Sequence, residues 1–363
     1  MPHESREDGF AGVCCLAPNR DVTSSTAHKI VSRLGRGTIS VAISLAFLAV
    51  AGFILYKLLH DADFGKVVAA LKAESLKRIA FAGLFVVVGY ITLTFYDLFA
   101  LRIIGANKVP YSVAALASFT SSTIGHSLGA AVLTGGLIRL RIYSSWGLTV
   151  LDVAKIAFVT GMTFWLGNAF MLGGAAAFVP AAASAVDHLP LWINRALGFA
   201  GLSAIGCYLL WLAPRPRVVG RADWRIGLPN LRSTLLQIGI GALDLTFITT
   251  AMYILLPPDP PIGFVMAMVP FLVATFLGTI SHTPGGLGVI EATMLLGLGE
   301  FPREELLASL LTFRAVYFIL PLILATLSLG VRELRLLARS AAQDSGTSPR
   351  DGARQLVRPP PPR

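Results

Sequence analysis

Charge is what this chain has least of. Asp, Glu, Lys and Arg supply 14% of its 363 residues, whereas 55% are hydrophobic and the mean hydropathy is +0.70. A soluble domain of this size carries about 25% charged residues, so a water-soluble globule is excluded and a bilayer is the expected solvent. Cysteine is also scarce: Cys14 and Cys15 adjoin in a polar leader and Cys207 lies in a hydrophobic run, which leaves neither a disulfide framework nor metal-ligand spacing. No H-E-x-x-H, G-x-S-x-G or P-loop occurs, and no nucleophile stands beside a base at a recognisable spacing. An enzyme is therefore not expected, and no cofactor or metal is implied. The net charge of +10 does not indicate nucleic acid, because the basic residues sit in short loops and tails beside hydrophobic runs, where they set orientation.

Hydrophobic runs, by contrast, are abundant. About 20 apolar residues cross a hydrocarbon core, and a charge at its centre costs roughly 2.5–3.5 kcal/mol on insertion scales. Gly37–Tyr56, Ile79–Tyr96, Val109–Ile138, Ile156–Val186, Ala196–Pro214 and Pro260–Ile290 contain no Asp, Glu, Lys or Arg; Ser233–Pro258 and Leu306–Val331 contain one charge each, Asp244 and Arg314. The first run follows a polar leader and has no cleavage motif after it, so it reads as a span rather than a signal peptide.

Basic loops assign the sides. Arg215–Arg232 carries five Arg, and Arg332, Arg335 and Arg339 flank the last run, so both regions are expected in the cytoplasm with the two termini and the loop bearing Arg139 and Arg141. The loops FVPAAASAVDHLP and LLPPDPPIG lack Lys and Arg and are expected outside. The segment Asp61–Arg78 holds four Lys/Arg yet falls outside, and is expected to form an amphipathic helix on the outer surface.

With these sides, two runs are too long for one helix and are interrupted by helix breakers. Val109–Ile138, broken at TIGHSLGAAVLTGG, enters and leaves on the inside; the run from Pro260 past Ile290, broken at SHTPGG, enters and leaves on the outside. Irregular backbone at membrane depth survives only where protein or water covers it, so each run is expected to be a re-entrant hairpin. The two belong to an internal repeat. Asp97-Leu98 precedes Gly135-Gly136-Leu137 by 38 residues and Asp244-Leu245 precedes Gly285-Gly286-Leu287 by 41, with Gly125-His126 and Ser281-His282 upstream of each Gly-Gly. Inverted repeats of this kind place substrate sites near the midplane, between broken helices. The freed N–H groups and helix ends suit an anionic or polar head group, and the glycines let backbone approach closely; Gly also serves tight helix packing in membranes.

The motifs LTGGLIRLRIYSSWGL (Leu133–Leu148), FWLG (Phe164–Gly167), ALDLTFITTAMYILLP (Ala242–Pro257), SHTPGGLGVIEA (Ser281–Ala292) and FRAVYFILP (Phe313–Pro321) occur in this order. As a set they resemble the membrane domain of the lysylphosphatidylglycerol synthetase/flippase family, over about residues 37–335. The resemblance implies translocation of a phospholipid of phosphatidylglycerol type, or its aminoacylated form, across the bacterial inner membrane, with antimicrobial peptide resistance as the family role. The family's separate C-terminal synthetase domain has no counterpart in the Ser-, Gly-, Arg- and Pro-rich tail, so lysyl transfer is not expected. The implied partners are an anionic or aminoacylated membrane lipid, a separate lipid-modifying synthase and a second copy of the chain in a homo-oligomer.

The family's motif charges fall here on Asp97, Arg139, Arg141, Asp244, Glu291 and Arg314, and the turn residues His282, Pro284, Gly285 and Gly286 complete the candidate substrate-binding and translocation set. Physical chemistry selects the same charges. Four buried at roughly 3 kcal/mol each cost about 12 kcal/mol, as much as a whole domain's stability, so they must be paired or solvated. Asp244 and Arg314 either pair and lock two helices, or Arg314 holds a lipid phosphate while Asp244 attends a cationic or hydroxylated head group. Arg139 and Arg141 have a simpler reading as inside-loop charges; His126 and His282 either relay protons or are hydrogen-bonded turn residues.

The expected fold is an all-α polytopic membrane protein with about seven or eight transmembrane helices and two re-entrant hairpins in an inverted repeat. Residues 1–36 form a disordered polar tail, 37–335 the transmembrane domain with repeat halves at about 79–186 and 230–331, and 336–363 a disordered basic, Pro-rich tail. The expected function is lipid flipping. The competing reading is a non-transporting membrane protein that binds lipid beside a lipid- or envelope-synthesis enzyme.

Overall fold

The computed structural model describes residues 64–129, 131–213, 218–219, 226–227 and 229–346. The chain is an all-α polytopic membrane protein: α1 Phe64–Ala73, α2 Leu76–Ile103, α3 Tyr111–Leu128, α4 Ala131–Tyr143, α5 Val150–Phe178, α6 Pro180–Asp187, α7 Leu191–Leu212, α8 Leu231–Leu255, α9 Phe264–Ser281, α10 Val289–Gly297, α11 Arg303–Arg314 and α12 Leu320–Gly346. Two-residue strands, Val218–Val219 and Ile226–Gly227, pair antiparallel between α7 and α8. Among the described residues six helices are long and apolar enough to cross a membrane: α2, α5, α7, α8, α9 and the continuous α11–α12 rod. The expected first span, Gly37–Tyr56, the expected N-terminal tail over 1–36 and residues 347–363 of the expected C-terminal tail lie outside the described residues; residues 336–346, expected in that disordered tail, instead continue α12 as helix.

Local chemistry sets the helix ends. Thr149 and Asp152 exchange capping hydrogen bonds at the start of α5, and Asn230 accepts from the Ser233 N–H at the start of α8. The single charge-free run Ile156–Val186 becomes two helices, α5 and α6, because Pro180 has no N–H to continue the ladder and instead opens a new helix. Near Asp61–Arg78 the helix is α1, interrupted before Leu76; its Val67 is buried in the core while Lys66 and Lys72 are exposed.

The central pair is α2 and α8. Arg78 donates from Nε and Nη2 to the Ile254 carbonyl at 3.1 and 2.6 Å, and from Nη2 to the Leu256 carbonyl, tying the start of α2 to the end of α8. The pair is thus antiparallel. Gly167 on α5 meets Gly241 on α8 so closely that a methyl group added at Gly167 would lie 2.6 Å from the Gly241 carbonyl carbon, and Gly198 on α7 packs in the same manner against Gly173 and Ala177 on α5.

Both runs expected to re-enter form hairpins with antiparallel arms. Gly135 on α4 lies against the Ser121 carbonyl of α3, and Gly297 on α10 lies against Pro270 of α9. The base of the α3–α4 hairpin packs with the end of α2 and the start of α5, through Leu101, Val109, Ala114, Ile142, Tyr143 and Val153. The base of the α9–α10 hairpin packs at the opposite end, where Leu255, Ala267, Met294, Leu298 and Leu306 meet Val67 and Ala82. The hairpins therefore enter the bundle from opposite ends, each anchored in its own apolar cluster. Between the clusters lies a layer of buried polar groups that includes Asp97, Ser121, Arg139, Thr160, Asp244, Ser281 and Thr283.

Candidate functional site

The two hairpin tips touch. Gly129 ends α3 with φ +74°, and a methyl group there would lie 2.5 Å from the His282 carbonyl oxygen and 3.2 Å from the Pro284 nitrogen. On the other tip His282 ends α9 in the left-handed region, Pro284–Gly286 form one 3-10 turn, and Gly285, Gly286 and Gly288 all have positive φ. Only residues tolerant of that backbone serve there, which is the physical content of SHTPGGLG.

Beside the tips lies a cavity of about 240 Å³. Its polar wall includes Ser121, His126, Arg139, Thr160, Asp244, Thr275, Thr279, His282 and Thr283; its apolar wall is largely aromatic, with Phe164, Trp165, Phe271, Phe313, Tyr317 and Phe318. Gly129, Gly285 and Gly286 contribute backbone. The cavity thus draws on both hairpins and on α2, α5 and α8.

Each buried charge has a defined setting. Asp97, fully buried on α2, accepts from Arg139 Nε at 3.0 Å and Nη2 at 2.8 Å and from the Tyr143 hydroxyl at 2.8 Å. Arg139 passes alongside Gly135, whose missing side chain clears its path. Arg141, two residues on and so on another face of α4, is exposed. In the second half Glu291 caps α10 by accepting from the Gly288 N–H at 2.9 Å and is ion-paired with Arg314 Nε. Arg314 Nη1 donates to the Gly285 carbonyl at 2.9 Å, and the guanidinium lies 5.5 Å from the Phe318 ring centre. In both halves, then, the first glycine of the Gly-Gly pair makes room for an arginine.

The expected alternative in which Asp244 pairs with Arg314 is not what forms. Arg314 sits at the end of α11, where the capped start of α10 brings Glu291 to it, and a turn of π-helix over Ala315–Ile319 follows at once. Asp244 accepts from the Tyr96 hydroxyl at 3.1 Å through Oδ2, and its Oδ1 has no partner. Of the candidate residues, Arg139, Asp244, His282, Gly285 and Gly286 line the cavity; Pro284 opens the adjoining turn; Asp97, Glu291 and Arg314 stand behind the wall; and Arg141 does not join them. His282 bonds through Nδ1 to the Ile280 carbonyl at 2.6 Å, as a turn histidine does. Sequence reasoning passed over Tyr96, Tyr143 and Tyr317. Tyr96 adjoins Asp97 and Tyr143 lies four residues after Arg139, which is a usable helical-spacing signal only once Asp97 is known to be buried.

No family model matches the chain. It is 32% identical over 292 residues to the uncharacterized protein slr0712 of Synechocystis, covering 80% of this chain and 90% of that one. It is 30% identical over 246 residues to the inner membrane protein YbhN of Escherichia coli, covering 66% of this chain and 75% of that one. The chain belongs to the family of these two proteins. A shorter stretch of 89 residues is 35% identical to the phosphatidylglycerol lysyltransferase of Staphylococcus haemolyticus, covering 24% of this chain and 10% of that one. The relatives and the six apolar helices together establish a multi-pass membrane protein.

Proposed function

We propose that this chain translocates a phospholipid across the bacterial inner membrane, as a flippase-type membrane domain without an enzymatic activity of its own. The observation that carries the reading is the contact of two opposed, glycine-broken hairpins beside a polar cavity. A polar pocket reached by hairpins from opposite ends has the layout of a carrier, in which a midplane site is exposed to one face and then the other. The stretch similar to phosphatidylglycerol lysyltransferase supports a lipid of phosphatidylglycerol type, plain or aminoacylated.

The volume suits a head group. At about 240 Å³ the cavity is smaller than the roughly 300–1,000 Å³ of pockets that enclose whole drug-sized molecules, so the acyl chains remain in the bilayer. Hydroxyls of Ser121, Thr160, Thr275 and Thr279 and the guanidinium of Arg139 offer polar partners on the wall. Arg314 stands behind the wall, its Nη1 on the Gly285 carbonyl and its Nη2 buried without a partner, and we assign to it the positive potential that favours a lipid phosphate at this tip. A separate synthase, a homo-oligomer and cytoplasmic termini fit this reading as further proposals.

The test is reconstitution in vesicles of phosphatidylglycerol and phosphatidylcholine, with head-group-adjacent fluorophore on a trace of phosphatidylglycerol and a membrane-impermeant quencher outside. Protein-containing vesicles are expected to expose inner-leaflet label to the quencher, and Arg314→Gln to slow that exposure at least about tenfold, the equivalent of 1.4 kcal/mol. Inner-leaflet label that stays protected in wild-type vesicles rejects translocation and favours a lipid-binding partner protein.

A further inference from the structure

The two halves differ in what answers their aspartates. Asp97 and Asp244 occupy corresponding places in the repeat, 147 residues apart, but the residue 150 positions after Arg139 is Val289. Asp97 therefore has a permanent guanidinium, and Asp244 has none from the matching position. Arg314, the other cation in reach by sequence, is held by Glu291 and the Gly285 carbonyl. What remains to Asp244, 3% exposed, is one tyrosine hydroxyl on Oδ2, while Oδ1 is unpartnered and the residue lines the cavity.

We propose that Asp244 binds a mobile monovalent cation, a proton or an alkali ion, and that this cation drives the lipid through the cavity; the inference rests on the translocation reading above. A lone carboxylate away from water, with a single neutral donor, is costly as an anion and is relieved by any cation that reaches it. The ionisable groups around it do not supply one permanently. From α2 it faces Tyr90 and Tyr96, and from the π turn Tyr317; Arg139 and His126 stand on the wall contributed by the first hairpin, with Arg139 committed to Asp97, and His282 stands at the tip of the second. Helix α9 has no ionisable side chain, and α5 has only Asp152 and Lys155, both in its first two turns.

Coupling follows from electrostatics in a small space. A phosphate entering the cavity meets the Asp244 carboxylate as a like charge. A bound cation removes that repulsion, so lipid and cation favour each other's binding, and the favour is reciprocal by linkage. Because the cavity opens to one face at a time in the proposed cycle, co-binding makes the distribution of lipid depend on the ion gradient. The other half has no such dependence, since Arg139 neutralises Asp97.

The test uses the full chain in phosphatidylglycerol vesicles with the same fluorescent probe, under an imposed pH gradient in one arm and a sodium gradient in the other. Wild-type protein is expected to concentrate the probe in one leaflet under one of the gradients, and Asp244→Asn, which keeps an oxygen for the Tyr96 hydroxyl, to leave it evenly distributed. A second readout needs no lipid movement. If the ion is a proton, infrared spectra of the purified protein show a pH-dependent carboxylic-acid band absent from Asp244→Asn; if it is sodium, NaCl raises Tm relative to choline chloride in wild type alone. Probe that moves but ignores both gradients overturns the coupling and leaves translocation standing. Absence of both ion signals overturns the cation site whether or not lipid moves. Ion signals with immobile probe reject translocation, and the coupling with it.

Discussion

At the residue scale the decisive relations are choices of partner. Asp97, Arg139 and Tyr143 form one closed set and Glu291, Arg314 and Gly285 another, whereas Asp244 belongs to neither. Removing one member of a buried pair leaves the other uncompensated, at about 3–5 kcal/mol. Arg139→Gln and Asp97→Asn are each expected to lower thermal stability in detergent by that order, and the double variant to lose less than the sum of the two. The same cycle should show coupling between Glu291 and Arg314 and additivity, within about 0.5 kcal/mol, between Asp244 and Arg314. Exchanging Asp244 and Arg314 is then expected to rescue neither stability nor transport. The charges themselves were legible in the sequence, since an ionisable residue inside a hydrophobic run stands out at once. Their pairing was not, because Glu291 reaches Arg314 through the capped start of α10, across 23 residues that no helical spacing relates.

At the element scale the hairpins were legible for a simple reason: Gly, Pro and His inside a charge-free run have no place in a lipid-exposed helix. The run over residues 156–186 shows the limit of that reasoning, for the break at Pro180 makes a separate short helix at the end of the bundle rather than a re-entrant tip. The π turn after Arg314 had no sequence signal at all. Which glycines matter was also hidden, since spacing cannot separate a packed glycine from an idle one. Gly136 has open space around it, so Gly136→Ala is expected to be tolerated in both folding and transport. Gly129 has φ +74° and ψ 176°, where any side chain is strained by about 1–3 kcal/mol, and its added methyl would push against the His282 carbonyl of the opposite tip. Gly129→Ala should therefore reduce transport sharply even where the protein remains folded. Gly241→Val, by contrast, thrusts a side chain into the Thr163 carbonyl of α5 and is expected to lower stability by about 1–3 kcal/mol, read as a reduced Tm.

At the scale of the whole molecule, the repeat turns two local irregularities into one site. Each hairpin is anchored in an apolar cluster at its own end, and the tips meet in the polar layer between them. Loop charges predicted the sides, and reporter fusions check them: Asp187 and Asp259 should read on one face, Arg232 and Arg335 on the other, and Arg232 reading with Asp259 would undo the inverted arrangement. The most direct measurement concerns the cavity itself. In a background with Cys14, Cys15 and Cys207 replaced, single cysteines are placed at Ser122 on the first hairpin and Thr279 on the second, both on the cavity wall. A membrane-impermeant thiol reagent is applied from each side of sealed vesicles in turn. A cavity that serves both faces gives labelling of both positions from both sides, slowed by added phosphatidylglycerol; labelling of both from one side only would contradict translocation and leave a one-sided lipid-binding protein.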